Sequence, residues 1–216
     1  MFWLGRYTER VYTALHLVRK CLDAMIDENE NAYVNYCEKM GVPNVYSSPE
    51  DFAVRYLYDA QNPNSLNATL RSAYDNAIEL REEIMSESLS YVQLSVAQME
   101  KCATVHPKVG ELQCITDYLL AFWGSVDERV FDRPVKALLN MGKWLECMEL
   151  HLRFDYPPET LSEIYAALRL WVEQLDSVYD REMLDTLDAL MNEFPEHADT
   201  AHRMAVLSCL NSLFAA

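Results

Sequence analysis

Residues 2–27 read FWLGRYTERVYTALHLVRKCLDAMID, and this run sets the fold class. Trp3, Tyr7, Val11, Ala14, Val18, Cys21 and Met25 recur at steps of three and four residues, which lays them along one side of an α-helix. A second line of residues on the same helix is polar. At 100° per residue, Gly5, Glu9 and His16 fall within about 40° of one another, away from the apolar line, with Arg6 and Arg10 flanking them. A glycine inside a helix costs about 1 kcal/mol relative to alanine. Its place here points to another backbone, or a ligand, approaching closely.

The first turns of this helix return later. Gly5-Arg6-Tyr7-Thr8-Glu9 reappears as Gly142-Lys143-Trp144-Leu145-Glu146, again glycine, cation, aromatic, any residue, glutamate. The chain of 216 residues has five glycines, and two of them open these copies. In the second copy Gly142, Glu146 and Arg153 share one face, while Trp144 and Met148 take the apolar side. A single copy reads as exposed ion pairs, each worth roughly a few tenths of a kcal/mol. Glycine adds nothing to a surface ion pair, so the repeat predicts two helices that cross near Gly5 and Gly142. Arg6, Glu9, Arg10, Lys143 and Glu146 should then form a partly buried charged cluster, joined by Arg71, Asn76 or Arg81 from the central helix. Buried charges persist only when paired and hydrogen-bonded, so these groups should match cation to carboxylate.

The rest of the chain reads as helix after helix. Asn29 to Met40 predicts a short helix closed by Gly41-Val42-Pro43. Ser48-Pro49-Glu50-Asp51 is a start signal, with a capping serine, proline in the first turn and acids against the helix dipole. Asn62-Pro63-Asn64-Ser65 resets the chain, and a long helical region follows to about Thr104, with a break near Ser86–Ser90 and an end at His106-Pro107. Further helices are predicted over Glu111–Glu128, Arg133–Arg153, Pro158 to about Tyr179, Arg181–Glu193 and Glu196–Phe214. No segment alternates with period two, and no Asn-Gly or Asp-Gly hairpin turn occurs. The expected architecture is all-α, a single-domain multi-helix bundle over residues 1–216.

Composition narrows the function. The net charge is −16, which disfavours nonspecific binding to nucleic acid or anionic lipid. Asp155 to Asp199 holds twelve carboxylates against Arg169 and Arg181. That surface reads either as a solvated face or as a docking surface for a basic partner. The five glycines are too far apart for a dinucleotide-binding loop or a Walker A loop, and there is no nucleophile elbow of the G-x-S-x-G kind. No Glu-x-x-His pair supports a di-iron site in the bundle. His197 and His202 are five residues apart and point in different directions, and His16 and His151 read as ordinary helix histidines. The expectation is therefore no metal and no cofactor. The six cysteines, Cys21, Cys37, Cys102, Cys114, Cys147 and Cys209, have no C-x-x-C pair. Most fall on inward faces and predict reduced thiols in a cytoplasmic protein. Charges at Arg6, Glu9 and Arg10 interrupt any signal-peptide pattern, and no stretch reaches the roughly 20 apolar residues of a membrane span.

Phe2-Trp3-Leu4-Gly5-Arg6-Tyr7-Thr8-Glu9-Arg10 resembles the opening signature of the bacterial Alpha-E domain. Asn62-Pro63-Asn64-Ser65-Leu66, Leu70-Arg71-Ser72-Ala73 and Asp75-Asn76-Ala77, with Arg81 and Ser86-Glu87, resemble its central pattern. The Gly142–Glu146 copy stands at its late motif, with Lys143 in place of an arginine and Cys147 at the position matching Arg10. Tyr74 and Ile78 stand where members often carry arginine. The resemblance spans about residues 2–154 and carries no settled activity. It implies genomic company, with circularly permuted ATP-grasp proteins and transglutaminase-like peptidases as neighbours, and hence a role in making or modifying peptides. Two functions follow as expectations. One is a noncatalytic binding or accessory protein that holds an ATP-grasp-type partner, or its peptide, through the acidic helices or the Arg/Glu face. The other is an enzyme in which Glu9 or Glu146 acts as general base and the arginines bind a carboxylate. Arg6, Glu9, Arg10, Arg71, Asn76, Arg81, Lys143 and Glu146 are the candidate ligand-binding residues.

Overall fold

A computed structural model of the chain describes residues 1–105, 109–175 and 178–214. Among the described residues ten helices run in chain order: α1 (Phe2–Asp27), α2 (Ala32–Met40), α3 (Pro49–Tyr58), α4 (Leu66–Glu79), α5 (Arg81–Val105), α6 (Gln113–Arg129), α7 (Arg133–Arg153), α8 (Pro158–Val172), α9 (Arg181–Glu193) and α10 (Thr200–Ser212), with a 3₁₀ turn at Val109–Leu112. No strand occurs among the described residues. The all-α reading of the sequence is correct.

Five of these helices open on a side-chain cap. The Ser48 hydroxyl accepts from the Asp51 backbone N–H at 3.2 Å and opens α3. Ser65 does the same for Ala68 at 3.0 Å and opens α4. Gly41 closes α2 at φ 68°, a left-handed conformation that glycine adopts without steric penalty. Several predicted boundaries shift by a few residues, and a cap explains the start of the last helix. The helix expected to run to about Tyr179 ends at Val172, and Asp180 caps the start of α9 by accepting from the backbone of Glu182 and Met183. The last helix begins at Thr200 rather than Glu196, because Asp199 accepts from the His202 N–H at 2.8 Å. The break expected near Ser86–Ser90 falls at Met85, whose φ of 69° interrupts α5. The predicted stop at His106-Pro107 lies outside the described residues. Asp132 caps α7 by accepting from the Val135 N–H at 3.0 Å. Asp132→Ala should lower stability by about 1 kcal/mol, read as a shift of the denaturant midpoint at unchanged slope.

Three apolar clusters surround the α1–α7 pair. The first gathers Val11, Ala14 and Val18 of α1 with Tyr36, Phe52, Tyr56, Leu70 and Met99. The second joins α7 to α8, α9 and α10 through Met148, Leu161, Leu187, Phe194 and Leu210. The third holds Leu4 of α1 and Leu139 of α7 against Ala73, Ile84 and Phe122. Because α1 packs against α2, α4, α6 and α7, it is buried on more than one side. Leu4, Gly5, Thr8 and Glu9 are buried along with Val11 and Val18. The predicted apolar line is only partly the buried one, since Trp3 is 54% exposed. His16, placed by its spacing beside Gly5 and Glu9, is exposed near the middle of α1.

Candidate functional site

The crossing of α1 and α7 is made by the two glycines. A Cβ at Gly5 would collide with the Leu139 carbonyl and come within 3.1 Å of the Lys143 backbone nitrogen. A Cβ at Gly142 would collide with the Phe2 carbonyl and come within 3.0 Å of the Arg6 nitrogen. Each glycine thus receives a backbone carbonyl of the other helix three residues before that helix's own glycine. Only residues without a side chain permit that approach. The predicted meeting of Gly5 and Gly142 is what the structure contains.

One turn beyond the crossing, the charges meet. Arg6 Nε donates to Glu146 Oε2 at 2.6 Å, and Arg6 Nη2 donates to Glu149 Oε2 at 2.6 Å. Arg10 Nε donates to Glu146 Oε1 at 2.5 Å. Arg153 closes the group from the next turn, with Nη2 donating to Glu149 Oε1 at 2.9 Å. Glu146 is completely buried, and the side chain of Arg6 is 13% exposed. Both oxygens of Glu146 and both of Glu149 therefore carry an arginine hydrogen bond. The network is a charge-assisted brace between two helices.

Glu9 stands apart from the brace. It is buried, and its Oε1 accepts from the Thr13 hydroxyl at 2.8 Å. No arginine reaches it among the described residues, so the expected match of Glu9 to Arg6 or Arg10 does not occur. Both arginines extend across to α7, whereas Glu9 lies a further step around α1. Lys143 also departs from the expected ion pair. Its Nζ lies 4.4 Å from the Trp123 ring centroid and 5.1 Å from that of Trp144, a cation held between two indoles. Burial pushes the Glu9 carboxyl up to about 7; Lys143 and the Thr13 hydroxyl oppose this, and Glu146 adds to it. Burial also raises the neighbouring Cys147 thiol, as do the charges of Glu9 and Glu146, which makes it a poor nucleophile.

The sign of the Glu9 effect is fixed by these causes. Folded chains keep the Glu9 proton up to about pH 7, and unfolded chains release it near 4.5. Between those values the folded state binds more protons, so stability falls as pH rises. Glu9→Gln should remove this slope, because an amide still accepts from Thr13. The variant should gain roughly 3 kcal/mol on the parent chain between the two pH limits, read from denaturant unfolding across that range. Parallel curves for parent and variant would contradict the assignment.

The central-helix residues do not join the cluster. Arg71 Nη2 donates to Glu100 at 2.7 Å on the surface, and its Nε donates to Asn67 at 3.3 Å. The reason is phase. Leu66, Leu70, Ala73 and Ala77 form the buried stripe of α4, which leaves Arg71 roughly 130° around the helix. Asn76 is half-buried on α4, and Arg81 is exposed at the start of α5. No hydrogen bond or ion pair among the described residues ties either side chain to the brace. Glu149 is a member of the brace that the repeated motif does not predict. Its signal in the sequence is the three-residue step from Glu146, which puts both carboxylates on one helix face.

Among the described residues no group of three or more His, Cys, Asp and Glu side chains is arranged to hold a metal ion. One cleft is lined by Val130, Phe131 and Trp171 and another by Leu22, Val54 and Leu57, and neither is lined by Glu9 or Glu146. No described helix is long and apolar enough to cross a membrane.

An all-α bundle whose first helix is braced to a later one by buried glutamates and arginines defines a helical domain organised around a Glu/Arg motif. The chain belongs to the Alpha-E family: the family model, described as a predicted alpha-helical domain with a conserved ER motif, matches residues 1–155. The match ends just after α7, so α8 to α10 lie beyond it. No curated protein and no solved structure matches the chain. Two Glu-Arg pairs fall within the matched residues. Glu128-Arg129 is exposed, whereas Glu9 is buried and Arg10 is bonded to Glu146.

Proposed function

We propose that this chain is a noncatalytic binding or accessory protein that acts beside an ATP-grasp-type enzyme in making or modifying peptides. The observation that carries this reading is how the motif's charges are used. Arg6, Arg10 and Arg153 are each matched to Glu146 or Glu149, so the motif reads as a brace that orders the domain. Binding then falls to the surface. The stretch Asp155 to Asp199, with twelve carboxylates against two arginines, suits a basic face on a partner. Beside α8, Phe131 is 87% exposed and lines a cleft of about 510 Å³ with Val130 and Trp171. An exposed aromatic next to an acidic surface is what a docking site requires. The family resemblance supplies the identity of the partner.

Co-purification from the native host tests this reading. The tagged chain should bring down the ATP-grasp-type protein encoded beside it, or a transglutaminase-like neighbour, in stoichiometric amount. Glu163→Lys with Asp185→Lys, on the acidic helices α8 and α9, should abolish the recovery while the fold is kept. Recovery of neither neighbour at low salt would overturn it.

One observation favours a second reading, an enzyme with Glu9 as general base. A carboxyl held near 7 by burial has the affinity that proton abstraction needs. Turnover of a peptide substrate by the isolated chain, lost in Glu9→Gln, would select that reading.

A further inference from the structure

The C-terminal half of α1 and helix α3 leave a groove of about 880 Å³. Leu22, Met25, Ile26, Val54 and Leu57 line it. Ile26 is 83% exposed although it sits in this apolar row. Asp23, Glu30 and Glu50 stand along the same groove. An apolar floor edged by carboxylates fits one class of occupant best.

We propose that this groove binds an amphipathic helix of a partner protein, one with an aliphatic stripe and lysine or arginine on its flanks. Helix-in-groove recognition uses apolar anchors at three- and four-residue steps, and the floor supplies receptors for them. The acidic edge selects basic flanks. It also argues against the alternatives. A second copy of a chain with net charge −16 repels the groove, and an anionic membrane surface does so too.

The groove belongs to the first apolar cluster, away from the acidic α8–α10 side, so the proposal stands whether or not the chain acts with an ATP-grasp-type protein.

The test uses fluorescence anisotropy with the full chain and three labelled peptides of one length. One carries a leucine stripe at helical spacing with lysine flanks. The second keeps the leucines and has glutamate flanks. The third keeps the lysines and scrambles the stripe. The first should bind at least tenfold more tightly than either control. Ile26→Lys, at a position exposed enough to leave the fold intact, should weaken that binding at least tenfold, and Asp23→Lys with Glu50→Lys should transfer the preference to the glutamate-flanked peptide. Equal binding of the first and third peptides, or affinity untouched by Ile26→Lys, would overturn the proposal. So would the absence of binding by all three.

Discussion

Replacing Glu146 by alanine should destabilise the chain by roughly 3 kcal/mol or more. Glu146 is the one completely buried carboxylate of the brace, and it receives Arg6 at 2.6 Å and Arg10 at 2.5 Å. Removing it leaves two guanidinium groups without that acceptor. Arg10, with a side chain 35% exposed, can turn to water. Arg6 is 13% exposed and is held in place by Glu149, so its Nε stays buried and unmatched. An uncompensated buried donor on a charged group is what makes such truncations severe. Glu100 provides the comparison. It pairs with Arg71 with both side chains about half exposed, and Glu100→Ala should cost less than about 1 kcal/mol. Urea unfolding of both variants checks this, and equal small losses would show the brace to be solvated.

Gly142→Ala should be nearly as damaging, and for a reason that runs against helix propensity. Alanine in a helix is worth about 1 kcal/mol over glycine. Yet the new Cβ would meet the Phe2 carbonyl oxygen and the Arg6 nitrogen, and backbone atoms of a packed helix do not yield as a side chain tip does. The helices must separate, which loosens Arg6 and Arg10 from Glu146 as well. The net loss should be roughly 2–3 kcal/mol, and Gly5→Ala should behave alike. Gly124 lies in α6, and a Cβ there would have nothing within 4 Å, so Gly124→Ala should instead gain about 1 kcal/mol. Opposite signs at Gly142 and Gly124 in thermal or denaturant unfolding separate close approach from propensity. A gain at both would remove the case for a glycine-mediated crossing.

Much of this was legible in the sequence because the signals are local. Proline, serine and aspartate caps mark helix starts, and the ranges read for α7 and α9 match the structure at both ends. The glycines could be read as contact points because a helix-interior glycine is unfavourable unless something occupies the missing side chain's space. What was not legible depends on which neighbours surround a helix. The phase of α4 that turns Arg71 outward to Glu100 follows from which face meets α1. Lys143 sits between Trp123 and Trp144, and Trp123 comes from α6, a partner that no spacing within α7 announces. Glu9 illustrates the same limit. Its place on the inner face of α1 follows from spacing, but only the surrounding packing decides that it takes Thr13 and is enclosed without an arginine.

Of the two Glu-Arg pairs, Glu9-Arg10 lies at the α1–α7 crossing: Arg10 reaches across to Glu146, while the buried Glu9 is held within α1 by Thr13. The brace leaves the acidic helices and the apolar grooves as the surfaces available for recognition.

The measurement that tests the account most directly is a double-mutant cycle between Arg6 and Glu146 by denaturant unfolding, using Arg6→Ala, Glu146→Ala and the pair. Contacting members of a buried network couple, whereas solvated surface pairs do not. The account predicts a coupling energy of roughly 2 kcal/mol or more. A coupling below about 0.5 kcal/mol would contradict it and leave α1 and α7 held together by apolar packing alone.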